Sequence, residues 1–169
     1  MARQQKVFAI SGIKNSGKTT LICSLLEIFK EKGIKAAVIK HDGHEFSADV
    51  PGTDTYRQLE SGAYATAVFS AGKFMVVKQQ AHTSETELMQ LFPEADLILL
   101  EGFKYSTYPK IEIVRKGNSE QCVCDEAYLM AVATNLDAEK RNALSIPEHL
   151  PVLDLDSAEE IADFILSHQ

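Results

Sequence analysis

The sequence lacks an excess of positive charge and a long apolar run. It holds 17 lysines and arginines against 24 aspartates and glutamates, which gives a formal net charge of −7. Because binding to a nucleic-acid backbone requires a cationic face, we expect no DNA or RNA partner. No apolar stretch reaches the roughly 18 residues that a membrane helix requires, so we expect no membrane span.

Cysteines are few as well, and no secretory leader is evident. Residues 1–6 lead directly into an apolar strand pattern, without a basic-then-apolar leader. The three cysteines, an odd number, argue against a disulfide framework, so a cytoplasmic protein is expected. Cys23 falls on a helical pattern and is interpreted as a core residue. Cys122 and Cys124 form a C-x-C pair, which is a weak metal signal without further ligands.

The sequence does contain one complete phosphate-binding motif. Residues 12–19 read Gly-Ile-Lys-Asn-Ser-Gly-Lys-Thr, which matches G-x-x-x-x-G-K-[ST], between a short apolar strand pattern and a helical one. The glycines let the backbone curl around a polyphosphate, while the following helix presents unpaired N–H donors. The motif predicts that a nucleoside triphosphate is bound by Gly12, Asn15, Ser16, Gly17, Lys18, Thr19 and Thr20.

A second element is the apolar run 97–100, which ends in Glu101. A triphosphate brings Mg²⁺, which needs an acid at the end of a strand beside the phosphate loop. We therefore predict Thr19 and Glu101 as metal-site residues, and Lys18, Thr19 and Glu101 as the catalytic group. An exposed carboxylate at a strand end is the alternative interpretation of Glu101.

Strand and helix patterns alternate along the chain. The apolar content of 45% over 169 residues predicts one domain, residues 1–169, with its own core. The alternation favours an α/β fold of the P-loop type, with a mostly parallel twisted sheet and helices on both faces. Residues 110–115 alternate as a half-buried strand, and residues 65–69 and 74–78 resemble two strands joined by a turn.

The polar segment 41–52 predicts a long loop, followed by a short helix over 53–60. His41 and His44 in the loop are open to two interpretations: transition-metal ligands, or groups beside the nucleotide or a pterin. Asp54 and Arg57 lie one helical turn apart in the helix. They either form a surface pair or reach the nucleotide site, Asp54 toward Mg²⁺ and Arg57 toward a phosphate.

The predicted buried strand 129–134 is followed by Asn135 and Asp137. An amide and a carboxylate there would suit the polar edge of a purine, and a carboxylate accepting from two guanine N–H groups would favour GTP. The alternative is that Asp137 caps the next helix. The sequence alone leaves both interpretations open.

Several short blocks together resemble the MobB family, GTP-binding proteins of molybdopterin guanine dinucleotide biosynthesis. Besides the phosphate loop they are Lys40-His41-Asp42, Pro51-Gly52-Thr53-Asp54-Thr55-Tyr56-Arg57, Gly62-Ala63 and Leu100-Glu101-Gly102-Phe103-Lys104. The resemblance covers about residues 5 to 165. It implies GTP binding with slow hydrolysis, a homodimer, and a helper role to the guanylyltransferase that joins GMP to molybdopterin.

One position of the phosphate loop differs from the loops of some related nucleotidases. Related dimeric nucleotidases that carry a second, signature lysine place it directly after the first loop glycine, where this chain has Ile13. Lys14 is therefore interpreted as a solvated loop residue. Besides a slow GTPase, the sequence leaves open a non-catalytic adaptor, a small-molecule kinase, and a metallochaperone GTPase that uses His41 and His44, with or without Cys122 and Cys124.

Overall fold

The computed structural model describes residues 5–43, 46–118, 121–144 and 146–168. The chain divides into two compact units, residues 1–41 with 89–169 and residues 42–88. Each unit is described separately, and the single domain over residues 1–169 stays a prediction.

The first unit is built on a six-stranded parallel sheet in the order β2-β5-β1-β6-β7-β8. Its strands are β1 (Lys6–Ser11), β2 (Ala36–Lys40), β5 (Leu97–Glu101), β6 (Lys110–Val114), β7 (Leu129–Thr134) and β8 (Val152–Asp154). Its helices are α1 (Lys18–Glu31), α4 (Ala138–Ala143) and α5 (Ala158–Ser167), with a turn of 3₁₀ helix over Glu126–Tyr128. The predicted α/β class with a mostly parallel sheet is confirmed.

Two helices cover one face of this sheet. The apolar sides of α1 and α5 pack on inward residues of β1, β5, β6 and β7, and Leu25, Phe29, Ile161 and Ile165 are fully buried there. Cys23 lies on the opposite side of α1 and is exposed. The prediction that Cys23 is a core residue is therefore wrong, because the helical period turns this position toward solvent.

Loops and the segment around α4 cover part of the second face. Val114 and Val132 of the sheet pack there with Leu136 and Leu150. Cys122 and Cys124, both half-buried, lie against the same cluster.

Strand β6 is more deeply buried than its alternating pattern indicates. All five of its residues are buried, including Lys110 and Glu112, so the prediction of a half-buried strand is wrong. Lys110 Nζ donates to the carbonyl of Ser106, and the Glu112 carboxylate accepts from the amides of Val123 (2.6 Å) and Cys124 (3.1 Å). Buried charges are tolerated because they are bonded to the backbone in this way.

The second unit contains α2 (Asp54–Glu60) and the antiparallel pair β3 (Ala65–Phe69) and β4 (Phe74–Lys78). The hydroxyl of Thr53 caps α2 by accepting from the amide of Tyr56. The chain returns to the first unit near α3 (Glu85–Met89). Ser84 and Glu87 form a capping box at the start of α3, each side chain accepting from the other's amide. The helix ends at Met89.

Among the helices in the described part of the chain, none is both long and apolar enough to cross a bilayer.

Candidate nucleotide-binding site

The carboxyl ends of the sheet strands bring several predicted residues to one edge. Ser11, Glu101 and Thr134 are the last residues of β1, β5 and β7. Since parallel strands all end on the same side, this edge is where an open α/β sheet binds ligands. The phosphate loop leaves β1 at this edge and enters α1.

The loop backbone has the conformation that its glycines permit. Gly12 has φ of 138° and Gly17 has φ of 96°, while Asn15 is the one loop residue with a side chain at positive φ, 62°. The loop also packs closely on β6, because a Cβ atom on Gly12 would lie 2.7 Å from the carbonyl oxygen of Ile113. Only glycine fits both the conformation and this approach at position 12.

Unsatisfied polar groups show that the loop suits an anionic ligand. The hydroxyl of Ser16 is fully buried and has no hydrogen-bond partner among the described residues. Gly17 is the N-cap of α1 and supplies no side-chain acceptor to the first helix amides. Because such donors are costly when unpaired, the donor set fits a phosphate chain.

The ammonium group of Lys18 is hydrogen-bonded to carbonyl oxygens of its own loop. Its Nζ donates to the carbonyl oxygens of Ile13 (2.6 Å) and Gly12 (3.3 Å). Burial lowers the pKa of Lys18, and the nearby carboxylate of Glu101 opposes that shift. The ammonium is thus partly desolvated, with carbonyl oxygens that an anionic phosphate oxygen could replace.

Thr19 and Glu101, 82 positions apart in the chain, are in direct contact. Thr19 Oγ1 donates to Glu101 Oε1 over 2.7 Å, and Lys40 Nζ lies 3.7 Å from the same carboxylate oxygen. Glu101 is 7% exposed. A hydroxyl and a carboxylate are oxygen donors of the kind Mg²⁺ takes, so the two residues fit the predicted ion.

Asn135 and Asp137, the residues predicted to recognise the base, follow β7, and both of their side chains accept hydrogen bonds from backbone amides. Asn135 Oδ1 accepts from the amide of Lys116 (3.0 Å), and Asp137 Oδ1 accepts from the amide of Lys140 (3.0 Å) as the N-cap of α4. The latter bond is the largest cause of a lowered pKa of Asp137. The capping interpretation of Asp137 is therefore confirmed, and a role in base recognition stays a prediction.

The remaining predicted site residues in the described part of the chain are exposed. Asp54 and Arg57 lie on α2 in the second unit, exposed, so their proposed approach to the nucleotide stays a prediction. Thr20 and Lys14 are exposed, and His41 makes an edge contact with the ring of Phe103. His44 lies outside the described residues.

The residues described include no group of three or more His, Cys, Asp or Glu side chains arranged to hold a metal ion. Burial, with Glu112 second, raises the pKa of Cys122 to about 11 and that of Cys124 to about 12. Both thiols are therefore protonated near neutral pH.

The turn after β6 supports the loop and was not identified from the sequence. Asn118 Nδ2 donates to the carbonyl of Lys14 (3.1 Å), and the neighbouring Lys116 amide donates to Asn135. The turn thus links the phosphate loop to the end of β7. The Gly-Asn pair at 117–118 signals only a turn, and no motif indicates what the turn contacts.

A parallel sheet whose first strand runs into a G-x-x-x-x-G-K-[ST] loop and then a helix defines the class of P-loop α/β proteins. Residues 7–135 match the family model described as molybdopterin guanine dinucleotide synthesis protein B, MobB. The chain belongs to this family, which confirms the resemblance found in its motifs.

Individual relatives match over nearly the whole chain. The molybdopterin-guanine dinucleotide biosynthesis adapter protein of Escherichia coli K12 is 31% identical, covering 95% of this chain and 91% of the relative. The probable adapter protein of Bacillus subtilis is 32% identical, with 99% and 95% covered. The crystal structure of Bacillus subtilis MobB superposes with a TM-score of 0.76 at 30% identity, covering 96% of each chain.

Proposed function

We propose that this protein is a GTP-binding adapter of molybdopterin guanine dinucleotide biosynthesis that hydrolyses GTP slowly with Mg²⁺. The single observation that supports the nucleotide part best is the Thr19–Glu101 hydrogen bond beside a phosphate loop with unsatisfied donors. The adapter part is supported by family membership and by the names of the relatives.

Different residues of the site would bind the phosphate chain and the metal ion. The loop amides and the Ser16 hydroxyl would bind and orient the phosphate chain, and Lys18 would exchange its carbonyl partners for phosphate oxygens. Thr19 and Glu101 would hold Mg²⁺, which when bound neutralises negative charge on the phosphate oxygens. Attack by water would then transfer the terminal phosphoryl group and leave GDP.

We expect the hydrolysis of GTP to be slow. Within the described residues of the first unit, no glutamine lies at the ends of β1 or β5, where one could orient the attacking water. Positioning and charge neutralisation by the loop then provide most of the rate enhancement. A slow rate suits a protein whose nucleotide state serves a partner enzyme.

Isothermal titration calorimetry tests the nucleotide assignment. GTP, ATP and their non-hydrolysable analogues are titrated with and without Mg²⁺ into the wild type, Lys18→Ala and a control, Lys30→Ala. Lys30 is an exposed residue in the last turn of the same helix. We expect Lys18→Ala alone to lose GTP affinity. Equal affinity of Lys18→Ala and the wild type would refute the proposal.

The proposed partner is the guanylyltransferase that joins GMP to molybdopterin. An adapter should raise the output of the transferase when the two proteins are mixed, and a non-hydrolysable GTP analogue separates binding from hydrolysis. Stimulation that persists with the analogue supports an adapter. An output that is the same with and without this protein would contradict the partner assignment.

The proposed homodimer is supported by the hairpin of the second unit. A two-stranded sheet is marginally stable alone, and this one exposes Phe69 (85%), Phe74 (77%) and Val76 (56%). A second copy of the chain would cover such a surface. Light scattering after size exclusion should show a dimer that Phe74→Glu converts to monomer, whereas Tyr105→Glu, at an exposed aromatic residue of the first unit, leaves it unchanged.

A further inference from the structure

One cationic side chain outside the phosphate-loop motif lies directly against the loop. Arg115 follows β6, and its Nη1 lies 3.1 Å from the point that a Cβ atom on Gly17 would occupy. The side chain's Cδ lies 4.0 Å from the same point. The missing side chain of Gly17 therefore leaves room that the guanidinium partly fills.

Arg115 has no acidic partner in the part of the chain that the structure describes. The ion pairs found there join Lys32 to Asp163, Lys40 to Glu101 and Lys116 to Asp137. In a chain with a net charge of −7, a guanidinium without a carboxylate partner is available to an anionic ligand. Its five donors suit the oxygens of a phosphate group.

The backbone of Arg115 is fixed before any ligand arrives. The amide of Asn118 donates to the carbonyl of Arg115 (3.2 Å), and Asn118 Nδ2 reaches the carbonyl of Lys14 (3.1 Å). The amide of Lys116 is bonded to Asn135 Oδ1 (3.0 Å). Because the turn is bonded on both sides, the backbone at Arg115 is already ordered, and ligand binding has to immobilise only the side chain.

The buried loop hydroxyl is a second, independent sign of a ligand at this place. Ser16 directly precedes Gly17, is fully buried, and has no hydrogen-bond partner among the described residues. A phosphate held by the loop would supply the acceptor that this hydroxyl lacks. The guanidinium and the hydroxyl thus point to the same anion.

We propose that Arg115 is a phosphate-binding residue that contacts the α- and β-phosphate oxygens of the bound nucleotide. This inference rests on the proposed nucleotide-binding function. The Gly17 backbone belongs to the part of the loop that cradles the α- and β-phosphates, whereas Lys18 reaches toward the β- and γ-phosphates. Since GTP and GDP share the α- and β-phosphates, Arg115 strengthens the binding of both nucleotides.

The test compares Arg115→Ala and Arg115→Lys with a matched control, Arg141→Ala. Arg141 is exposed on α4, so its replacement removes the same charge away from the loop. GTP and GDP are titrated calorimetrically with Mg²⁺ present. We expect Arg115→Ala to weaken both nucleotides by a similar factor, about tenfold, because charge-assisted hydrogen bonds are lost. Arg115→Lys should lose less, and Arg141→Ala should match the wild type.

The outcomes separate this inference from the proposed function. If Lys18→Ala loses affinity while Arg115→Ala binds as the wild type does, the Arg115 inference is overturned and nucleotide binding stands. A loss for GTP with GDP unchanged also overturns it, because the contact then lies at the γ-phosphate. If the wild type binds neither nucleotide, both proposals fail. Should Arg115→Ala unfold, weaker binding by Arg115→Gln than by Arg115→Lys supports the inference, and equal binding overturns it.

Discussion

Thr19 Oγ1 donates a hydrogen bond of 2.7 Å to Glu101 Oε1, and this contact joins the end of the phosphate loop to the end of β5. A hydroxyl oxygen that ligates Mg²⁺ still has its hydrogen to donate. The carboxylate of Glu101 is placed to accept that hydrogen and to orient the hydroxyl oxygen. The contact therefore predicts that Glu101 acts on the ion at least partly through Thr19.

Replacement of Glu101 by glutamine should weaken the Mg²⁺ dependence of GTP binding. Glutamine keeps an oxygen acceptor for Thr19 but removes the negative charge, and loss of such a group typically costs about 10- to 100-fold in metal affinity. Titration of Mg²⁺ at fixed GTP measures the change. Lys40→Gln is the companion variant, since it breaks the 3.7 Å ion pair with Glu101 but keeps the carboxylate. An unchanged Mg²⁺ titration in Glu101→Gln would remove this residue from the site.

Gly12→Ala should both destabilise the protein and abolish GTP binding. The new Cβ would lie 2.7 Å from the carbonyl oxygen of Ile113 and 3.0 Å from Ser16 Oγ, on a backbone with φ of 138°. Strain and the clash together should lower the free energy of unfolding by about 3 kcal/mol or more. Urea denaturation at pH 7 measures the loss.

Gly33→Ala separates the clash from the backbone strain. Gly33 also has positive φ, 71°, but nothing lies within 4 Å of its would-be Cβ. Its replacement should cost only about 1 kcal/mol and leave GTP affinity unchanged. Equal losses of stability in the two variants would show that the loop does not pack on β6 as described.

The sequence predicted the edge of the sheet where the site lies better than the partners of individual side chains. Parallel strands end on one side, so the pattern alone places Ser11, Glu101 and Thr134 together. It left open whether Asp137 caps α4 or recognises a base, because a carboxylate at that position suits both roles.

Strand β6 shows a second limit of sequence patterns. Alternating polar residues normally indicate a solvent face, yet Lys110 and Glu112 are buried and bonded to loop backbone. The same alternating pattern predicts Arg115 as the last residue of the strand, and nothing in it indicates a ligand. A single sequence carries no signal for a charged residue whose partner is a carbonyl, an amide or a ligand.

Asp137→Asn should distinguish base recognition from helix capping. Asparagine caps helices about as well as aspartate, so the stability of the protein should change by only a few tenths of a kcal/mol. If the carboxylate reads guanine, GTP affinity should still fall about tenfold relative to ATP affinity. Calorimetric titration with both nucleotides measures the preference.

Asp137→Ala serves as the companion variant. It removes the hydrogen bond to the Lys140 amide and should cost about 1 kcal/mol of stability. If Asp137→Asn and the wild type have the same ratio of GTP affinity to ATP affinity, then capping is the whole role of this residue.

The three thiols should differ sharply in reactivity. Cys23 is exposed, whereas the raised pKa values of Cys122, about 11, and Cys124, about 12, leave roughly 0.1% or less of either as thiolate at pH 8. Iodoacetamide at pH 8 should therefore label the native protein once, and mass spectrometry should place the label on Cys23. In the Cys23→Ser variant, the fast reaction with iodoacetamide should be absent. Fast labelling of Cys124 would contradict the burial and the raised pKa of this thiol.

The same two thiols predict how stability depends on alkaline pH. Their pKa values are raised in the folded state above the ordinary value of 9.0, so the folded protein holds these protons longer than the unfolded chain does. Their stabilising contribution is therefore complete below pH 9 and is lost progressively as the pH rises toward 11 and 12. Urea denaturation between pH 8 and pH 10.5 should show a steeper loss for the wild type than for the double variant Cys122→Ala, Cys124→Ala. The Cys23→Ala control should follow the wild type, and identical slopes in all three proteins would contradict the raised pKa values.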